Sequence, residues 1–363
     1  MPGSSIGQRL VLTSFGESHG ICVGAVLDGC PAGLELDEKD IQKMLDLRKP
    51  GQSLVSTQRK EEDKVEILSG VFRGYTTGAP IAMIIWNADH DSRAYEQLKT
   101  KMRPGHSDYP ALIKYKKFND FRGGGRFSGR LTATHVMGGA IARKLLKTTL
   151  GIETNSYTLQ IGKIRLSKVT QQMMKMIYSN EVRCPDKNTA KKMRNIILAA
   201  RKKGDSLGGV IESVTTNPPV GLGEPIFGSL ESDLGKALYS IPAVKGIEFG
   251  SGFAGAEAFG SQNNDPYMVK NGKVVTKTNN AGGILGGLSN GMPIVLRIAF
   301  KPASSILKKQ TTIDIKTKKP TSLQVTGRHD PCVVPRAPPV VDSLVSLVLA
   351  DHALQSGFIK PVL

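Results

Sequence analysis

Glycine constrains this chain more than any other residue. Its 40 glycines follow no three-residue period, which excludes a collagen-like helix. Many stand in short clusters beside polar residues, so the chain must fold as short elements joined by tight turns. Three clusters also carry histidine or arginine: Gly16-Glu17-Ser18-His19-Gly20, Arg103-Pro104-Gly105-His106-Ser107-Asp108 and Arg122-Gly123-Gly124-Gly125-Arg126-Phe127-Ser128-Gly129-Arg130. A fourth, Gly327-Arg328-His329-Asp330-Pro331-Cys332, lies far downstream. Four of the six histidines fall in these clusters or, like His135, close to one. Glycine lets backbone approach a ligand, arginine binds phosphate or carboxylate, and histidine moves a proton near neutral pH. The combination predicts an anionic substrate, an anionic cofactor and proton-transfer chemistry.

The formal charge is +18, from 49 Lys plus Arg against 31 Asp plus Glu. Such a field attracts nucleic acid, an anionic membrane surface or small anionic ligands. Much of the excess is lysine within 144–203 and 301–319. Lys191, Lys192, Arg194, Arg201, Lys202 and Lys203 read as the wet side of a helix. The cluster arginines differ, because glycine surrounds them. An aromatic content of 6% and the lack of a recognition module argue against nucleic acid. No apolar run reaches transmembrane length, and the N-terminus has no long apolar region for secretion. Cys22, Cys30, Cys184 and Cys332 form no CxxC pair and no metal-ligand pattern, so free, mostly buried thiols in a reducing cytoplasm are expected.

The periodicity predicts strands over 10–13 and 23–27 around the first glycine-histidine turn. Asp37 caps a helix that buries Ile41, Met44 and Leu45 and stops at Pro50-Gly51. Residues 65–72 and 81–86 have strand composition. A helix over 132–150 buries Val136, Ile141, Leu145 and Leu146, with Gly151 closing it. Further strands are expected over 157–164, 209–214, 244–249 and 294–300, and a helix over 189–203. Residues 263–280 read as a loop or hairpin, and 340–354 as a final buried helix. No Pro-, Gly- or Ser-rich linker divides the chain, which predicts one α+β domain over 1–363, with halves that allow internal pseudo-symmetry.

In order and content, the clusters, together with 282–291 and Lys301-Pro302-Ala303-Ser304-Ser305, resemble the chorismate synthase family from Thr13 to Leu354. The resemblance implies an α+β fold of three layers, with helices enclosing two antiparallel sheets. It also implies a homotetramer and an elimination of phosphate and the C6 proton from 5-enolpyruvylshikimate 3-phosphate, giving chorismate. Reduced FMN is required without net redox change. Cationic donors ease the departure of phosphate, and the flavin carries the electron chemistry while the protein orients both ligands. Without a Rossmann fingerprint or reductase domain, an external flavin reductase is expected, with NADPH as the indirect reductant.

The resemblance also assigns residues. His19 matches the proton donor to the leaving phosphate, and Ser18 a substrate-contacting serine. His106 matches the histidine near the flavin N1 region. Asp330 matches the carboxylate acting near N5. Arg48, Arg103, Ser128, Arg130 and Arg328 match substrate-binding positions. Arg126, Phe127, Ser128, Pro242, Ala243, Gly286, Lys301, Pro302, Ala303, Ser304, Ser305 and Arg328 match FMN-binding positions. This chain departs from the common family pattern at Phe127, usually serine, at Leu131, usually glutamate, and at Leu54, often a second arginine that Arg59 or Lys60 replaces or leaves missing. His135 and His329 are weaker candidates; His90 and His352 read as structural or surface residues. No histidine pair has metal-ligand spacing. Two other classes fit parts of the sequence: a basic nucleic-acid-binding structural protein and an FMN oxidoreductase with net electron transfer.

Overall fold

The computed structural model describes residues 3–363 apart from 52, 54, 58–60, 89–92 and 328. Leu54, Arg59, Lys60, His90 and Arg328 therefore lie outside the described residues. Two five-stranded antiparallel sheets organise the chain. The first contains β1 (Ser5–Ile6), β2 (Val11–Gly16), β3 (Cys22–Asp28), β4 (Glu66–Ile67) and β5 (Ile81–Trp86), in the order β1-β2-β3-β5-β4. The second contains β6 (Glu153–Ile161), β7 (Ile164–Arg165), β8 (Gly209–Thr216), β9 (Val244–Phe249) and β10 (Ile294–Phe300), in the order β9-β10-β8-β6-β7.

The principal helices are α1 (Glu38–Arg48), α2 (Asp108–Tyr115), α3 (Thr132–Leu150), α4 (Lys187–Lys202), α5 (Leu230–Leu238) and α6 (Pro338–Gln355). Helix α3 packs on the first sheet, α6 on the second, and the two helices on each other. The expected layers of helices and antiparallel sheets are present, but this helix pair packs between the two sheets and not outside them. Helix α6 is buried from Pro338 to Ala353, as suits a helix enclosed on every side.

Local rules account for several boundaries. Asp37 caps α1 through a reciprocal box with Asp40. Gly151 closes α3 in the left-handed conformation. The strand expected over 65–72 is split, because Gly70 turns the chain at φ +83° between β4 and the short strand Val71–Phe72. The strand expected over 157–164 starts earlier and folds back at Gly162, so β6 and β7 form a hairpin. The polar stretch 263–280 contains the hairpin Tyr267–Lys270 with Lys273–Thr276.

Two contacts hold the layers in place. Asp351 on α6 accepts backbone N–H bonds from Gln8 (3.0 Å), Arg9 (2.6 Å) and Leu10 (2.8 Å), fixing the entry to β2. Gly139 lets α3 approach α6, since a Cβ there would lie 2.2 Å from the Ser343 Cβ and 2.4 Å from its Cα. Backbone in a buried helix cannot give way. Gly139→Ala is therefore expected to destabilise the fold by about 1–3 kcal/mol, read from a shifted denaturant midpoint. A midpoint equal to that of the unsubstituted chain contradicts this packing. No helix among the described residues is long and apolar enough to cross a membrane.

Candidate active site

The glycine clusters converge on one cavity of about 820 Å³. The turn between β2 and β3 carries Ser18 and His19, both buried. The Asn87 side chain ties this turn down, donating to the Glu17 and Gly20 carbonyls at 3.1 and 2.9 Å. The run Gly123-Gly124-Gly125 has φ of 58°, 83° and 52°, a backbone that only glycine adopts freely. Gly125 accepts a hydrogen bond from the Ser18 amide at 3.2 Å. A Cβ at Gly123 would lie 2.6 Å from His19 Nε2, and one at Gly124 would lie 3.7 Å from His106 Nε2. The bare backbone thus runs between the two histidines. The His19 ring also meets Tyr95 edge-on, with centroids 5.2 Å apart.

His106 belongs to a fixed triad. Asp108 holds Arg103 through two bonds of 2.7 Å, and its Oδ1 lies 2.6 Å from His106 Nδ1. Arg103 Nη2 also lies 3.0 Å from Nδ1. Nδ1 cannot both donate to the carboxylate and accept from the guanidinium. The shorter carboxylate contact assigns its proton toward Asp108. Burial alone raises the Asp108 carboxyl, but hydrogen bonds from Arg103 and His106 outweigh it and hold it well below the usual range. A depressed folded pKa gives stability that is present above the unfolded carboxylate range and lost as pH falls through the folded value. Asp108 therefore stays ionised at neutral pH and orients His106.

The downstream cluster 301–305 closes over this triad. Arg103 Nη1 donates to Ser305 Oγ at 3.1 Å, Lys301 Nζ donates to the Gly105 carbonyl, and the Lys301 amide donates to the Ala243 carbonyl at 2.9 Å. Residues about two hundred positions apart thereby form one wall. The lining also combines apolar Ile241, Val244 and Phe300 with the cations Arg126, Lys245 and Lys301.

Arg48 and Arg130 form another part of the wall. Both are buried, and both pair with the buried Asp63 carboxylate, Arg48 Nη2 at 2.8 Å. Arg48 Nη1 donates to Thr132 Oγ1 at 3.0 Å, and Arg130 Nε donates to Asn87 Oδ1 at 3.0 Å. Glu61 Oε2 lies 3.9 Å from Arg130 Nη2. Arg48 Nε and Arg130 Nη2 meet no hydrogen-bond acceptor among the described residues. Buried donors of that kind suit an anionic ligand. Burial lowers the Arg48 guanidinium to about 10, with Asp63 opposing that effect, so Arg48 remains a cation at neutral pH.

Asp330 lines the same cavity. Its carboxylate accepts from the Thr57 amide at 2.7 Å and from Arg336 Nη1 at 2.6 Å. Arg336 Nε reaches the Arg48 carbonyl at 3.3 Å, which joins the two walls. His329, which also lines the cavity, has its pKa lowered by burial and then by the Arg103 charge.

The sequence candidates Ser18, Arg48, Arg103, His106, 126–128, Arg130, 242–243, 301–305 and Asp330 line this cavity. His19 stands just behind the lining, against Gly123. Gly286 does not line it; this residue turns the hairpin Ile284–Leu285 with Leu288–Ser289. Arg103 is committed to Asp108, His106 and Ser305. The Phe127 ring lies 6.3 Å from the Tyr115 ring, centroid to centroid. His135 lines an adjoining cavity of about 590 Å³ that shares Arg126, Ser128 and Pro242 with the first. His352 is buried and bonded to Asp233 at 3.0 Å. Asp63, Arg336 and Tyr95 were not legible as site residues. The only sequence signal for Asp63 is an acidic run, Glu61-Glu62-Asp63, in a basic chain.

Residues 10–354 match the family profile described as Chorismate synthase. A relative named chorismate synthase from Korarchaeum cryptofilum is 53% identical over 357 residues, covering 98% of this chain and 99% of the relative. Another from Dehalococcoides mccartyi is 51% identical, covering 99% of each chain. A third, from Methanocaldococcus jannaschii, is 51% identical, covering 99% of this chain and 98% of the relative. A solved structure titled Crystal Structure of Chorismate Synthase matches with a TM-score of 0.75 and 31% identity, covering 96% of this chain and 93% of that one.

Proposed function

The chain belongs to the chorismate synthase family, and on that premise we propose how its cleft carries out the family reaction. The enzyme is an FMN-dependent lyase that converts 5-enolpyruvylshikimate 3-phosphate to chorismate with loss of phosphate. It serves the shikimate pathway of aromatic amino-acid biosynthesis. The convergence of His106, Arg48, Arg130 and Asp330 on one cavity carries the site reading.

The substrate's anionic groups meet Arg48 and Arg130, whose free buried donors support that role. His19 donates a proton to the departing phosphate; glycine at 123 keeps a side chain from covering its Nε2 edge. Ser18 contacts the substrate beside it. FMN fits the bare 123–125 backbone, the apolar wall at 241–244 and the cations Arg126 and Lys301. Bound there, reduced FMN would supply transient electron donation with no net redox change. His106, oriented by Asp108, controls protonation beside the cofactor. Asp330, whose carboxylate pairs with Arg336, accepts the proton lost from C6.

The same reading has the enzyme as a single 1–363 domain in the cytoplasm, assembled as a homotetramer. Exposed Phe227, Phe253, Phe259 and Val269 support assembly, since apolar surface favours burial against another subunit. An external reductase, using NADPH, keeps the FMN reduced. Because cofactor and substrate walls interleave, FMN is expected to bind about 5- to 150-fold more tightly when 5-enolpyruvylshikimate 3-phosphate is present. Titration of FMN with and without that substrate tests the reading. Equal affinities contradict a shared cleft.

A further inference from the structure

Asp63 puts a buried negative charge between the two arginines that the reaction needs for an anionic substrate. Its side chain is fully buried and pairs with both guanidiniums at once. The backbone that presents it is itself held. Gln42 on α1 donates to the Asp63 carbonyl at 3.2 Å and accepts from the Val65 amide at 3.1 Å. Asp63 also sits at φ +53°, in the left-handed region that Asp and Asn tolerate better than most side chains. Two buried like charges repel unless an anion lies between them. A carboxylate held in this way cancels that repulsion and fixes one edge of each guanidinium. Arg48 Nε and Arg130 Nη2 are left without an acceptor among the described residues. Both side chains form the cavity wall.

We infer that Asp63 is a positioning residue for substrate binding: it locks Arg48 and Arg130 in the orientation that receives the anionic groups of the substrate. The inference rests on the proposed substrate role of the two arginines. A buried ion pair that only holds the fold is the competing account. The two differ in what they change. A fold-only pair alters stability and every ligand alike, whereas a positioning residue alters substrate handling and spares FMN affinity.

Asp63→Asn is the informative variant, because Asn keeps the left-handed backbone and most of the shape while losing the charge. Steady-state kinetics under anaerobic conditions, with saturating reduced FMN, gives kcat and KM for 5-enolpyruvylshikimate 3-phosphate. The expected result is a fall in kcat/KM of about 100-fold, with FMN affinity in the absence of substrate within about two-fold of the original. On an Arg48→Gln/Arg130→Gln background the same substitution is expected to cost no more than about three-fold further, because the residue acts through those two arginines. A kcat/KM for Asp63→Asn within about three-fold of the original overturns the inference, as does a full additive loss on the Arg48→Gln/Arg130→Gln background. If Asp63→Asn does not fold, Asp63→Asn/Arg48→Gln/Arg130→Gln removes the whole cluster and is compared with Arg48→Gln/Arg130→Gln. Equal kcat/KM supports the inference, and a further fall of about ten-fold or more overturns it. Unchanged kcat/KM in both Arg48→Gln and Arg130→Gln removes the substrate reading, and Asp63 with it. Loss in the arginine variants without loss in Asp63→Asn removes Asp63 alone.

Discussion

His19→Ala and His106→Ala are each expected to lower turnover by about 10- to 10,000-fold, the range for lost proton transfer by a positioned side chain. The structure separates their causes. His106 is oriented by Asp108, which Arg103 holds through paired bonds of 2.7 Å. Its loss removes a fixed ring beside the proposed cofactor wall and leaves the Arg103–Asp108 pair intact. His19 stands behind Gly123, next to Ser18. Its loss removes the proposed donor for the leaving phosphate. Turnover measured at saturating substrate and FMN checks both. Normal turnover in either variant removes that histidine from the mechanism. Activity of His106→Ala restored by excess FMN reassigns it to cofactor affinity.

Asp330→Asn is expected to reduce the elimination step by about 100- to 10,000-fold, with a smaller change in substrate affinity. Asn keeps the shape and can still accept from the Thr57 amide, which now binds Oδ1 at 2.7 Å. It cannot hold the charge that pairs with Arg336 at 2.6 Å, nor take up a proton. Single-turnover kinetics under anaerobic conditions gives the chemical step, and equilibrium titration gives affinity. An unchanged elimination rate refutes the proton-acceptor role. A large affinity loss with unchanged saturated chemistry reduces Asp330 and Arg336 to a structural pair.

Much of the fold was legible because its signals are local. Asp37 with Asp40 marks the start of α1, and Gly151 marks the end of α3 within one turn of its last apolar contact. The β10 strand alternates buried and half-buried residues, as its sequence pattern implies. The strand over 65–72 was misjudged because a glycine within an apolar run can be a kink as well as a strand residue, and Gly70 kinks. The ordering of strands into two sheets, and the helix pair between them, depends on long-range packing such as Gly139 against Ser343. No local pattern carries that information.

The site divides in the same way. His19, His106, Arg130 and Asp330 stand in distinctive clusters and could be singled out as residues. Their convergence could not be, since Lys301 reaches Gly105 and Arg336 reaches the Arg48 carbonyl only through the fold. Asp63 was hidden because a carboxylate in a short acidic run reads as solvated surface, yet its side chain is fully buried between two arginines. Arg336 was hidden because it follows the Asp330 cluster without glycine around it. Asp330 pairs with Arg336, and Arg328 lies outside the described residues.

The central claim is that this cleft drives a redox-neutral elimination with reduced FMN. Its most direct test mixes the full chain, dithionite-reduced FMN and 5-enolpyruvylshikimate 3-phosphate without oxygen, following chorismate, phosphate and flavin absorbance together. The account predicts chorismate and phosphate in equal amounts over many turnovers, with the flavin still reduced at the end. Flavin oxidation in proportion to product, or no chorismate with fully reduced FMN, contradicts it.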